Sequence, residues 1–316
     1  MDQEAYIVTF GEALLRLSPT VGELLREAKN LNVNVGGAEA NVAAGLSSLG
    51  LKSRWFSRVN DAVTGDIVLA ELNAAGVYTS FAVRAEARTG LYFVEHGDGV
   101  RPARVSYDRT GSAFAGIDVQ DAEAALMDGL FDGSAAFMTS GITLALGDGP
   151  AAAARRLWDE AEGQLRVLDV NYRSGLWGPA AAAEAIRPYL AQCDVLLIAE
   201  RDARILFGTV DLRDYAARAV VALTRGAEGA RAIAPDGEEA TAAALPLGSA
   251  GRIGRGDAFA SGFLAGILRG MDLGSSLRLA VACASFKSTI PGDLARLERS
   301  VVETLAWRAP DSDVIR

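Results

Sequence analysis

The chain has one histidine, His96, in 316 residues. That argues against a Ser–His–Asp triad and against a histidine-ligated zinc site. It has two cysteines, Cys193 and Cys283. They lie far apart in apolar runs and form neither a metal-spacing motif nor a disulfide framework. They read as buried thiols of a reducing compartment. Positive charge is also short, and the formal net charge is −9. Nucleic acid and anionic membranes are therefore not expected as partners. The acidic balance serves solubility and still permits an anionic substrate, because a local cluster of arginines can outweigh the global charge. No uncharged apolar run approaches the length of a membrane span. The N-terminal MDQEAYIVTFGEALL lacks the basic flank and long apolar core of a signal peptide. A cytoplasmic protein is expected.

Half of the residues are hydrophobic, ample for one large α/β domain or two smaller ones. There is no tandem repeat, no low-complexity segment beyond alanine-rich helices, and no long linker.

The most informative stretch is GRIGRGDAFASGFLAG, residues 251–266. Gly251, Gly254 and Gly256 precede Asp257, and Ala258, Phe259, Phe263, Leu264 and Ile267 then recur at helical spacing. The pattern predicts a tight glycine turn entering a buried helix. Glycines let another group approach the backbone closely, and a helix start offers free N–H groups and partial positive charge, which suit a phosphate. A carboxylate beside a phosphate cradle repels the ligand unless it takes a proton from the attacking hydroxyl. The competing reading makes Asp257 a helix N-cap and the glycines a turn.

In order along the chain, Tyr6 to Phe10 reads as the first strand of a central sheet. Glu12 to Ser18 alternates weakly, as a peripheral strand would. Residues 19–29 are loop-like, and Leu31 to Val35 alternates with the period of a half-buried strand. Gly36 and Gly37 then open a helix of small residues that ends at Gly50. Its small side chains would let a ligand lie against the backbone, or would serve close helix–sheet packing. Asn41 is polar in this apolar stretch. A strand over 52–59, a helix over 64–75 and an extended segment over 77–83 follow. Residues 89–95 and 102–109 read as a hairpin, with His96 exposed in its turn. Tyr92, Tyr107 and Arg109 stand out, since hydroxyls and a guanidinium suit a polyhydroxy acid. The alternative is ordinary strand aromatics and a solvated arginine.

From Asp118 strands and helices alternate: strands at 135–140, 165–170 and 195–198, and helices at 150–162, 180–192, 201–207 and 212–219. Asn171 and Arg173 fall just beyond a strand's carboxyl end, where open α/β sheets bind ligands. Residues 220–234 form a strand, a glycine turn and a second strand, and two β-prone edges run to Leu247. Helices over 273–287 and to about Trp307 complete the chain. The expected architecture is one large α/β domain (about 1–11, 36–86 and 111–316) with a small β excursion (about 12–35 and 87–110).

GGAEANVAAGLSSLG and GRIGRGDAFASGFLAG together resemble the paired signatures of the ribokinase-like (PfkB) carbohydrate kinases. DVNYR at 169–173 and TRGAEG at 224–229 add to the resemblance, in family order over essentially the whole chain. Within the family, GEALLRLSP, YFVE, SYDRTGSA, LDVNYR and TIPGD look like the 2-keto-3-deoxygluconate kinases. The resemblance implies a three-layer α/β/α fold with a small β-sheet lid over a sugar site, and an ATP-dependent kinase using Mg²⁺. By the same resemblance, Asp257 is the base at the sugar's terminal hydroxyl, and the amides of Gly254, Arg255 and Gly256 form the anion hole. Gly36, Gly37 and Asn41 would hold sugar hydroxyls. Tyr92, Tyr107, Arg109 and Arg173 would hold the keto acid, the arginines facing its carboxylate. Thr224, Gly226 and Gly229 would line the nucleotide. The edge of the lid offers a surface for a homo-oligomer.

Three departures from the family pattern bear on metal handling and rate. The glycine loop opens with Gly251-Arg252 where an acidic residue and a threonine or arginine are usual. Arg255 replaces an alanine and either contacts phosphates or faces solvent. The usual Asn-x-x-Glu appears as Ala199-Glu200-Arg201-Asp202, so no metal ligand is assigned. Kinases of fructose, ribose or a nucleoside are the nearest alternatives, and Arg109 and Arg173 discriminate against neutral sugars. A non-catalytic sugar- or nucleotide-binding protein on the same fold is the alternative of another class. A nicotinamide-dependent dehydrogenase is disfavoured, because no G-x-G-x-x-G follows the first strand.

Overall fold

The structure, a computed structural model, describes residues 6–97, 100–215, 217–248 and 253–307. The Gly251-Arg252 departure lies outside the described residues. Nine strands form the large sheet, in the order Glu239–Ala242, Ala230–Ile233, Val220–Thr224, Val195–Ala199, Leu165–Asp169, Ser134–Ser140, Tyr6–Phe10, Lys52–Phe56 and Val77–Tyr78. All pairings are parallel except the two that join Val220–Thr224, Ala230–Ile233 and Glu239–Ala242.

Parallel strands covered on both faces are apolar on both faces. Val8 and Phe10, Phe137, Leu168, Leu196 and Ile198 point into one core. Their neighbours Ile7, Ala136, Met138, Val167, Val195 and Leu197 point into the other. The helices Asp148–Glu160 and Pro179–Leu190 close the first core, and Arg255–Leu268 and Leu273–Lys287 close the second. This gives the expected three layers. Cys193 and Cys283 are buried and free. Among the described residues no helix is long and apolar enough to cross a membrane.

A separate four-stranded sheet runs Asn32–Gly36, Leu14–Ser18, Leu91–Glu95 and Arg104–Asp108. The weakly alternating residues after Gly11 thus form an inner strand of the small sheet. Its Leu15 and Val35 pack against Ala40, Ala43, Val68 and Leu72, which seats the small sheet beside the large one.

Several elements differ from expectation. The strand expected over 52–59 is two strands, Lys52–Phe56 in the large sheet and Arg58–Asn60 paired with Val83–Ala85. An unexpected helix, Val119–Met127, starts at an Asp118/Asp121 capping box; that box is the signal that could have revealed it. The helix expected over 212–219 is reduced to a single turn, Leu212–Asp214, closed by the Asp211 side chain. His96 is half-buried rather than exposed. Burial and the Arg16 charge hold its imidazole below its usual value.

From Tyr6–Phe10 the chain moves to Lys52–Phe56 on one side and later returns on the other at Ser134–Ser140. Such a switch in strand order opens a crevice at the carboxyl ends of the strands.

Candidate active site

That crevice is a cleft of about 470 Å³. Asp169, Ala199 and Thr224 end three adjacent parallel strands on its floor, and Tyr92, Val105 and Tyr107 of the small sheet overhang it. The helix Arg255–Leu268 starts at its wall.

Gly254 is the N-cap of this helix, with φ 79°. A Cβ there would run into the carbonyl oxygen of Asp293, so both conformation and space require glycine. The helix start, whose first N–H groups have no partner within the helix, thereby lines the cleft through Gly254, Arg255 and Gly256. Asp257 lies one turn in and makes no cap hydrogen bond; the N-cap reading of Asp257 does not hold. Its Oδ2 instead accepts a 2.6 Å hydrogen bond from Asn41 Nδ2. Burial pushes the Asp257 carboxyl up to about 6, against the lowering influence of Asn41, Arg173 and Lys287. A carboxylate with that value is ionised at neutral pH yet basic enough to accept a proton.

Asn41 is directed to the site by the helix Ala38–Ser48. Gly37, before that helix, is required by contact: a Cβ would strike the carbonyl of Glu12. Gly37 N also donates to Asn41 Oδ1 at 3.4 Å. The resemblance puts Asn41 on sugar hydroxyls; in the structure it lines the cleft, and one N–H of its side-chain amide goes to Asp257.

Asp169 is half-buried at a strand end, and desolvation of its carboxyl, with the nearby Asp257, raises it to about 8. Asn171 is the one described non-glycine residue with positive φ, 40°, and its Nδ2 donates to Asp169 Oδ2 at 3.0 Å. Arg173 follows at the mouth of the cleft, exposed, with a single 3.4 Å bond to the Tyr172 carbonyl. Its guanidinium is therefore available to an anionic ligand, and its charge already lowers both Asp169 and Asp257.

Arg109 also lines the cleft, but it is held by a carboxylate of the chain. Its Nε donates to Glu12 Oε2 at 2.8 Å and its Nη2 bonds the same oxygen. Ser112 donates to the other oxygen of Glu12. Glu12 directly follows Gly11 at the end of the first strand and was not singled out from sequence. Tyr92 is buried and stacks on the exposed Tyr107 at 5.6 Å between ring centroids. Burial and the neighbouring Asp293 carboxylate raise the Tyr92 hydroxyl far above its usual value. Gly36 lies directly beneath that hydroxyl.

The residues that the resemblance places at a nucleotide are split. Thr224 lines the cleft, whereas Gly226 and Gly229 lie outside its lining and shape the turn after the strand. Arg255 is half-buried on the cleft wall.

Among the described residues no three His, Cys, Asp or Glu side chains converge to hold a metal. Asp202, which stands where the family's glutamate is usual, accepts from Tyr172 N at 3.2 Å and from Arg201 at 2.8 Å. Mg²⁺ commonly keeps its waters and binds through one or two carboxylates plus nucleotide phosphates. The mutually repelling Asp169 and Asp202 on the cleft floor fit that looser mode.

The family model for "pfkB family carbohydrate kinase" matches residues 4–298. A 2-dehydro-3-deoxygalactonokinase of Haloferax volcanii is 35% identical over 99% of this chain and 99% of its own length. A 2-dehydro-3-deoxygluconokinase of Thermoproteus tenax is 33% identical over 91% of this chain and 89% of its own. The crystal structure of a 2-dehydro-3-deoxygluconokinase of Thermotoga maritima superposes with a TM-score of 0.87 at 31% identity, covering 96% of this chain and 98% of that one.

Proposed function

The chain belongs to the pfkB family of carbohydrate kinases, and from that premise we propose that it transfers the γ-phosphate of ATP to the terminal hydroxyl of a 2-keto-3-deoxy sugar acid. 2-Keto-3-deoxygluconate is the proposed acceptor and its galactonate epimer the second arm of the test; both relatives at 33–35% identity are named for acids of this class. The observation that carries the reading is Asp257. It is a buried carboxylate, ionised at neutral pH, one turn inside a glycine-capped helix start.

In the proposed reaction Asp257 takes the proton of the terminal hydroxyl. The oxygen attacks the γ-phosphorus in line, and the bond from that phosphorus to the bridging oxygen of ADP breaks. The amides of Gly254, Arg255 and Gly256 receive the charge on the transferring phosphoryl group. Asp169 and Asp202 would hold Mg²⁺ together with the nucleotide phosphates, and the ion would supply neutralisation of phosphate charge. Arg173 pairs with the acid's carboxylate, while Tyr107 and Arg109 shape the sugar end of the cleft. The small sheet acts as a lid that excludes water. Asn41 holds the base, and Thr224 faces the nucleotide.

The test is a coupled ADP-release assay with ATP and Mg²⁺ over both keto acids, fructose, ribose and adenosine. Turnover confined to the keto acids is expected. Turnover on a neutral sugar would keep the kinase and discard the acceptor; none on any of them would sink the reading.

A further inference from the structure

Lys287 ends the helix Leu273–Lys287, and its side chain is wholly buried. Its Nζ donates to the carbonyls of Ile290 at 3.2 Å and Gly292 at 3.0 Å. Among the described residues no carboxylate lies within ion-pair distance of Nζ. A buried ammonium satisfied only by turn carbonyls is a costly choice where a methionine would fill the same space. Its location accounts for the choice. A Cβ on Gly254 would sit 3.2 Å from Lys287 Cε. The turn that Lys287 gathers ends in Asp293, whose carbonyl abuts Gly254 and whose carboxylate pairs with Arg16 of the small sheet at 3.1 Å. Both members of that pair are buried.

We propose that Lys287 is a positioning residue for phosphoryl transfer: its ammonium gathers the 290–293 turn behind Gly254 and supplies a fixed positive charge at the back of the anion hole. The Arg16–Asp293 pair extends the same construction into the small sheet, so the lid strand and the phosphate-binding helix start share one support. The inference rests on the reading that the Gly254–Gly256 amides receive the phosphate. The charged and titratable groups around Asp257 are Arg173 and Asp169 from the strand-end segment, Glu39 from the first helix, and Asp293 and Lys287 from the C-terminal turn. Lys287 opposes the effect of burial on Asp257.

The experiment compares wild type, Lys287→Met and Lys287→Arg on whichever panel sugar the wild type phosphorylates. The acceptor assignment is thus judged by the wild type alone and the role of Lys287 by the ratio between proteins. Lys287→Met is expected to lower kcat by about 10- to 100-fold, somewhat less than loss of a direct anion-hole donor, with KM for the sugar within about threefold. The acid limb of its pH–rate profile moves upward, because a positive charge near Asp257 has gone. Lys287→Arg recovers part of kcat. Calorimetry with ADP, Mg²⁺ and aluminium fluoride, a mimic of the transferring phosphate, gives a readout without turnover. Its affinity falls about tenfold in Lys287→Met, the equivalent of losing one favourable charge contact, while ADP alone binds as before. Lys287→Gln serves if the methionine variant does not fold. Turnover and analogue affinity both within threefold of wild type would overturn the proposal. So would a loss of kcat with an unmoved pH limb and no recovery by arginine, which would leave Lys287 a purely structural residue.

Discussion

Asn41 Nδ2 and Asp257 Oδ2 are 2.6 Å apart although 216 positions separate them in the chain. One sits on the helix Ala38–Ser48 and the other on the helix Arg255–Leu268. Helix Ala38–Ser48 therefore orients the carboxylate carried by helix Arg255–Leu268, and the two glycine-opened stretches meet at one point.

Removing Asn41 takes a donor from the ionised form of Asp257, so the carboxyl moves further up. Asn41→Ala is expected to shift the acid limb of the pH–rate profile from near 6 upward by about one unit, the equivalent of ~1.4 kcal/mol. At pH 8 the variant approaches the wild-type rate. An unmoved limb would count against the hydrogen bond as the control on Asp257.

Asp257→Ala and Asp257→Asn are both expected to lose about 10³-fold or more in turnover while sugar binding, measured by calorimetry, largely survives. The asparagine variant should also melt higher than wild type at pH 7–8. A buried carboxyl raised from 3.8 to about 6 penalises the fold wherever it is ionised. That cost is full above about pH 6 and vanishes below about pH 4, with an upper bound of about 3 kcal/mol. The melting difference should shrink as pH falls through this window.

Arg109→Met strands the buried Glu12 carboxylate, which burial already raises against the lowering influence of Arg109. Leaving a buried charge without its partner typically costs about 3–5 kcal/mol. Urea titrations should show a loss of that order, largely restored when Glu12→Gln is added. Equal stability of the single and double variants would contradict the pairing.

Arg173→Ala is expected to raise KM for the keto acid by about 10- to 100-fold, the range of a hydrogen-bonded ion pair. Any turnover of a neutral sugar should change by less than about threefold, and stability hardly at all, because the guanidinium is exposed and makes one weak bond.

Gly254→Ala combines a left-handed backbone with a clash against the Asp293 carbonyl. A loss of stability of about 1–2 kcal/mol from the backbone alone, with a larger fall in kcat than in sugar affinity, is the expected outcome in melting and kinetic assays.

Much of this molecule is local and was legible in its sequence. Period-two and helical periodicities marked the central strands and most helices, since each is set by which face must be buried. The glycines at 36, 37 and 254 announced backbone approach, because a Cβ at each would collide with a neighbouring group. The single histidine and the acidic balance weighed against histidine triads, zinc sites and nucleic acid. What the sequence could not determine is which polar side chains meet. Sequence reading places Asn41 and Arg109 at the substrate; only the structure shows that Asn41 also meets Asp257 and that Arg109 also meets Glu12, 97 positions away. Lys287 and Asp293 drew no assignment as site residues, because a lysine at a helix end and an aspartate in a turn are ordinary until packing buries them. Burial raises the energetic stakes of every charge. It depends on long-range contacts, so only the tertiary structure decided that the Asp257 carboxylate meets Asn41, that the Glu12 carboxylate meets Arg109, and that the Lys287 ammonium is buried beside Gly254.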